Sequence, residues 1–236
     1  MSTSALRTKK KKRGKILPAV CISAAIFFSA GIFVEKAVDS ISSLPDFQTA
    51  EAASIPENRF LILVNSKNKI PDNYKPELTE LSNGEAVDSG IYPDLQKMFD
   101  DMRAEGIYPV VGEGYRTEAK QKQLLEDKIR AFEKEGYSRK KSEKMAKEWV
   151  ALPGTSEHEL GLAVDINADK EKSDNQEVYD WLYENAYKYG FILRYPFSKS
   201  YITGIDYEPW HYRYVGECAE EIYNSGLCLE EWLGEN

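Results

Sequence analysis

The chain has 236 residues, 42% hydrophobic and 30% charged, a globular composition long enough for one domain of ordinary size plus extensions. Its net charge is −8; because residues 1–15 hold seven Lys or Arg and no acid, and residues 16–34 hold no charge, residues 35–236 carry −15. So acidic a remainder argues against a nucleic-acid surface, which relies on Lys and Arg against phosphates.

The basic run (Arg7, Lys9, Lys10, Lys11, Lys12, Arg13, Lys15) is followed by an uncharged apolar stretch over 16–34. At about 1.5 Å per helical residue it approaches the roughly 30 Å hydrocarbon core of a bilayer. The flank predicts residues 1–15 as a cytoplasmic tail, 16–34 as a transmembrane anchor and the rest outside the cell membrane. An uncleaved anchor is favoured over a cleaved signal. Phe28-Ser29-Ala30 puts a bulky residue where a small one is wanted, and Ala50-Glu51-Ala52 lies far downstream. Cys21 follows Val20, which argues against a lipoprotein cysteine. Residues 35–57 lack periodicity and read as a linker.

From 58 to 236 the chain reads as one catalytic domain. Residues 59–65 are a compact apolar run, a strand or extended lead-in. Residues 67–88, punctuated by Pro71, Pro76 and Gly84, read mostly as loop. From Pro93, Leu95, Met98, Phe99 and Met102 fall at helical spacing, with Gly106 ending the helix. A strand follows over 108–111 and leads into Gly114-Tyr115-Arg116. Thr117 can cap a helix whose buried stripe is Leu125, Ile129 and Phe132, and Gly136 breaks it. Ser138 can cap a second, lysine-rich helix running to Trp149, a solvated face. A strand is expected over 161–166 and a helix from Asp174-Asn175 that buries Val178, Trp181, Leu182 and Ala186 before Gly190. Further strands are expected over 191–195 and 210–215, a turn at Thr203-Gly204, and short helices over 216–225 and 229–233. Strands and helices do not alternate cleanly, which predicts an α+β domain with a small, mostly antiparallel sheet flanked by helices. Cys218 and Cys228 are compatible equally with a disulfide and with two unpaired thiols.

The chain has two histidines, His158 and His211, each in a strand-forming segment with a carboxylate close by. His158 and Asp165 are separated by Gly161, whose turn could bring both side chains to one point. Asp165 sits inside an apolar strand, where an unpaired carboxylate is costly and a metal removes the cost. The residues alone leave this level with a solvent-facing Asp165 and a hydrogen-bonded core His158. Two imidazoles and a carboxylate close three sides of a zinc site and leave the fourth open for water, the arrangement of a catalytic centre. Glu208, fixed near His211 by Pro209, is the spare carboxylate that such a site needs to move a proton. Arg116 can stabilise an oxyanion or hold a carboxylate bidentately. Ser156 could donate to a terminal carboxylate. Trp210 and Tyr195 could wall a pocket or belong to the core, and Arg213 and Tyr214 look structural.

Ser156-x-His158-x-x-Gly161-x-Ala163-x-Asp165, then Glu208-x-Trp210-His211-x-Arg213-Tyr214, with Gly114-Tyr115-Arg116 and Gln121 upstream, resemble the VanY-type zinc D-alanyl-D-alanine carboxypeptidases. The resemblance spans roughly 59–232 and keeps the family's order. It implies a hedgehog/DD-peptidase-like α+β fold, Zn2+ on His158, Asp165 and His211, and Glu208 as catalytic base. It also implies substrate roles for Arg116 and Ser156 and a position for Gln121 near the substrate. The expected activity is zinc-dependent hydrolysis of C-terminal D-alanine from peptidoglycan stem peptides, by a membrane-held monomer with no nucleic-acid partner. The same residues are compatible with an L,D-carboxypeptidase, a D,D-dipeptidase or a zinc-stabilised wall-binding domain without turnover.

Overall fold

The computed structural model describes residues 58–235, so the expected tail, anchor and linker over 1–57 lie outside the described residues. Among the described residues no helix is long and apolar enough to cross a membrane.

The domain opens with a 3-10 turn, Arg59–Leu61, capped by Asn58. Residues 62–64 follow without regular secondary structure, with Ile62 and Val64 buried. Of the strand or extended lead-in expected over 59–65, no strand forms and the run is an unpaired lead-in. Its Phe60 and Ile62 carbonyls are satisfied by the Arg213 guanidinium, both at 2.9 Å, and not by a neighbouring strand. The expected loop over 67–88 contains a hairpin, β1 (Leu78–Glu80) against β2 (Ala86–Asp88), with Thr79 opposite Val87. Helix α1 (Tyr92–Ala104) buries the four expected residues, Leu95, Met98, Phe99 and Met102.

Four strands, β3 (Pro109–Glu113), β4 (Ala163–Ala168), β5 (Phe191–Leu193) and β6 (His211–Tyr214), form an antiparallel sheet in the order β3-β4-β6-β5. One face carries Val111, Val164, Ile166, Phe191, Tyr212 and Tyr214 into the main core. That face packs on α1 and on α4 (Asn175–Asn185), which adds Val178, Trp181 and Leu182. Asp174 and Glu177 close a capping box at the start of α4, satisfying two otherwise orphaned amides. Burying each aliphatic side chain contributes about 1.5–3 kcal/mol, so this single layer of contacts fixes which way the sheet faces.

Helices α2 (Glu118–Lys134) and α3 (Arg139–Ala146) pack mainly on each other. Thr117 caps α2, accepting from the Lys120 amide. Of the expected stripe only Ile129 is buried; Leu125 and Phe132 are half-buried. Helix α3 ends at Ala146, short of Trp149, and Ser138 sits at its N-cap without a side-chain bond. The turn expected at 203–204 follows one helical turn, α5 (Ser200–Thr203). Helices α6 (Ala219–Ser225) and α7 (Leu229–Trp232) close a second core of Ile192, Val215, Ala219, Ile222 and Leu229. Cys218 and Cys228 are both free thiols. The domain is α+β with small antiparallel sheets.

Candidate metal centre

The site forms on the sheet face opposite the main core. In the β4–β6 register Asp165 lies directly opposite His211, so both side chains project to the same side. His158 arrives from a 3-10 turn, Glu157–Leu160, which Gly161 closes at φ +73. Only glycine adopts that left-handed conformation without strain, and a Cβ there would also meet the Asp88 amide at 3.1 Å. Gly114 is required for a different reason: its α-carbon runs against the Ala86 carbonyl, leaving no room for a side chain. This close approach lets the Gly114 carbonyl accept from His158 Nδ1 at 2.7 Å. The Arg116 amide donates to the His158 carbonyl at 3.1 Å, locking the two motifs together.

With Nδ1 committed, His158 turns Nε2 inward, 3.3 Å from Asp165 Oδ1. His211 approaches the same oxygen with Nδ1, at 3.0 Å. The two rings stand edge to face, 4.8 Å between centroids. One donor atom each from His158, Asp165 and His211 lie within 4.8 Å of one another. Two imidazole nitrogens and a carboxylate, with both rings buried and one ring tautomer already fixed, fit a tetrahedral divalent ion that keeps an open position. Glu208 is the fourth group, with Oε2 at 3.7 Å from His211 Nδ1.

The electrostatics separate the carboxylates. Burial works against the Asp165 charge, but the imidazoles beside it hold Asp165 well below the usual carboxylate range. Burial pushes Glu208 up, to about 7, with His211 opposing and Asp165 adding to the rise. Burial lowers His158, with Asp165 opposing the shift. Burial also opposes charge on His211, but its contacts with Asp165, Glu157 and Glu208 raise it to about 9. In the metal-free site His211 and the Arg116 guanidinium thus both face the Asp165 carboxylate.

A cavity of about 370 Å³ opens over these groups. Arg116, Ser156, His158, Asp165, Tyr195, Glu208, Trp210 and His211 line it, together with α2 residues such as Leu124 and the Trp149 segment. Arg116 Nη2 reaches Asp165 Oδ2 at 3.2 Å, and its Nε lies 3.2 Å from Glu113 Oε1 in an ion contact without hydrogen-bond geometry. Gln121 does not stand on the cavity wall. It is buried behind Arg116, accepting from Arg116 Nη1 at 3.3 Å and donating to the Ala151 carbonyl at 2.9 Å. Tyr195 packs on the His211 ring at 4.8 Å, and Trp210 is half-buried at the rim.

Sequence reasoning passed over Glu157, Arg194 and Glu230, all buried beneath His211. The available signal was an arginine inside each of two apolar strand runs, 191–195 and 210–215, since arginine is almost never buried unpaired. Arg213 lies in that network, with Nη1 2.8 Å from Glu157 Oε1.

A family model described as "VanY: D-alanyl-D-alanine carboxypeptidase" matches residues 84–217. A D-alanyl-D-alanine carboxypeptidase of Enterococcus faecalis is 53% identical over 186 residues, covering 78% of this chain and 69% of the relative. The structure of VanYB in complex with D-alanine-D-alanine superposes with a TM-score of 0.73 at 55% identity, covering 75% of this chain and 98% of that one. A vancomycin-resistance D,D-pentapeptidase VanY, a point mutant in complex with Zn(II), gives 0.72 at 56% identity, covering 73% and 98%. The chain belongs to the VanY D-alanyl-D-alanine carboxypeptidase family.

Proposed function

We propose that this domain is a zinc-dependent D,D-carboxypeptidase that removes the terminal D-alanine from peptidoglycan stem peptides. The observation that carries this reading is the convergence of His158, Asp165 and His211 on one point beside a raised Glu208. The relatives, solved with D-alanine-D-alanine and with Zn(II), support the substrate and the metal.

His158 through Nε2, His211 through Nδ1 and Asp165 through its carboxylate would hold the ion. Bound zinc supplies Lewis acidity, polarising the scissile carbonyl and lowering the pKa of water to roughly 7. Glu208 accepts the proton of the attacking water and passes it to the leaving amine. A carboxyl at about 7 suits both transfers near neutral pH. Arg116, at the cavity wall, donates to the developing oxyanion or to the substrate carboxylate, and Ser156 adds a hydroxyl to the same wall. Gln121 holds Arg116 in place. Tyr195 and Trp210 form the apolar walls that orient the peptide end and exclude water.

The test is mass analysis of synthetic muropeptides incubated with the full-length chain, with and without a chelator. Loss of one alanine from the pentapeptide, abolished by the chelator, is the expected result. Intact pentapeptide with a trimmed tetrapeptide would transfer the reading to L,D bonds. That outcome has a concrete precedent, because the LdcB LD-carboxypeptidase structure matches at 36% identity and a TM-score of 0.64, covering 75% of this chain and 87% of that one.

The uncharged run over 16–34 behind a basic flank supports a single-pass anchor with the domain outside the cell membrane. Full-length protein recovered in the medium rather than with membranes would contradict it.

A further inference from the structure

The side of His211 turned away from the cavity meets a buried ion network that the chemistry above does not use. Glu157 Oε1 accepts from Arg194 Nε and from Arg213 Nη1, both at 2.8 Å. The other two Arg194 nitrogens donate to Glu230 of α7, at 2.9 and 2.6 Å. Arg213 Nη2 is taken by the Phe60 and Ile62 carbonyls and its Nε by the Tyr214 carbonyl. Arg194 and Arg213 are 0% exposed, and Glu157 and Glu230 1%. One acceptor is left over: Glu157 Oε2 is buried with no hydrogen-bond partner. His211 Nε2 is likewise buried with none, and the two atoms lie 3.7 Å apart. Closing that gap by roughly half an ångström brings them within hydrogen-bond range.

We propose that Glu157 is a positioning residue for the metal centre: it holds the His211 proton on Nε2 and so aims the Nδ1 lone pair at the ion. The inference rests on the zinc reading above. A neutral imidazole has one donor and one acceptor nitrogen, and the partner of the outer nitrogen decides which is which. A carboxylate flanked by two guanidinium groups offers only acceptors, so it accommodates Nε2–H and not a bare Nε2. The arginines matter because they occupy Oε1 and leave only Oε2 to face the ring. A glutamine at this position has one oxygen, which Arg194 and Arg213 claim. Its amide nitrogen then points a donor at the Nε2–H donor, in nearly the same volume. Glu230, at the far end of the network, touches Arg194 and Asn65 but not His211.

The experiment compares the full-length parent, Glu157→Gln and Glu230→Gln. It reads zinc affinity by competition with a chromophoric chelator, melting temperature, and the 15N–1H signal of the His211 ring in zinc-loaded protein. The parent should show an exchange-protected Nε2–H. Glu157→Gln should lose that protection and, measured above about pH 9 where the proton on His211 no longer competes, bind zinc about 10–100-fold more weakly, the range for groups that orient metal ligands. Glu230→Gln should melt lower yet keep the parent's zinc affinity and Nε2–H signal. Parent-like affinity and signal in Glu157→Gln would overturn the inference, as would an equal loss of affinity in Glu230→Gln. A parent that binds no zinc would overturn the metal centre itself and this inference with it.

Discussion

Zinc uptake should depend steeply on pH, because the ion must displace a proton from His211. In the metal-free site the contacts with Asp165, Glu157 and Glu208 outweigh burial and raise this ring to about 9. At pH 7 only about one His211 in a hundred is then neutral, which weakens apparent zinc binding by about 2.7 kcal/mol relative to the deprotonated site. Apparent affinity should rise about tenfold per pH unit up to about pH 9 and level off above it. The same shift predicts the stability of the metal-free fold. His211 is raised above its ordinary 6.5, so its imidazolium contributes stability that is complete below about pH 6.5 and is lost as pH rises through about 9. The assay is chelator competition at constant ionic strength across pH 6–10, with metal-free melting curves alongside. An affinity that stays flat between pH 6 and 8 would refute the reasoning, because His211 would then carry no displaceable proton or would not hold the ion.

Replacing Glu208 by Gln should cut turnover by about 10²–10⁴-fold while zinc stays bound, measured by D-alanine release and metal content. Because burial raises the Glu208 carboxyl to about 7, its ionised form opposes folding above that pH, so metal-free Glu208→Gln should melt no lower than the parent at pH 8. Arg194→Met removes the guanidinium partner of buried Glu230 and one of the two held by Glu157. It should cost about 3–5 kcal/mol and lower the melting temperature by roughly 6–20 °C for a domain of this size. Gly161→Ala places an alanine at φ +73 beside the Asp88 amide. It should destabilise by about 1–2 kcal/mol in a melting experiment and displace His158, lowering zinc affinity.

The parts of the fold that local rules control were legible in the sequence. The periodicity of Leu95, Met98, Phe99 and Met102, the Thr117 cap and the opening of α4 at Asp174-Asn175 each depend on neighbours within one or two turns. The hairpin over 78–88 was missed because its strands are three residues long and half polar, although Asn83-Gly84 between Leu78-Thr79-Glu80 and Ala86-Val87 is a turn signal. The lead-in over 59–65 has the composition of a strand, but a distant side chain, Arg213, satisfies its carbonyls. The site divides in the same way. His158, Asp165 and His211 stand out because histidine is scarce here and a carboxylate within an apolar strand needs a partner. Glu157, Arg194 and Glu230 are brought together across separations of 36 and 37 residues, and no local pattern pairs them. For Gln121 the resemblance implies a position near the substrate, and the fold seats it behind Arg116, accepting from its guanidinium.

The most direct test of the metal centre is zinc-edge anomalous diffraction from crystals of the zinc-loaded protein. The account predicts a single peak about 2.0–2.2 Å from His158 Nε2, His211 Nδ1 and an Asp165 oxygen, with Glu208 close by but not a ligand. A peak bound elsewhere, or the two histidines without shared density, would contradict it.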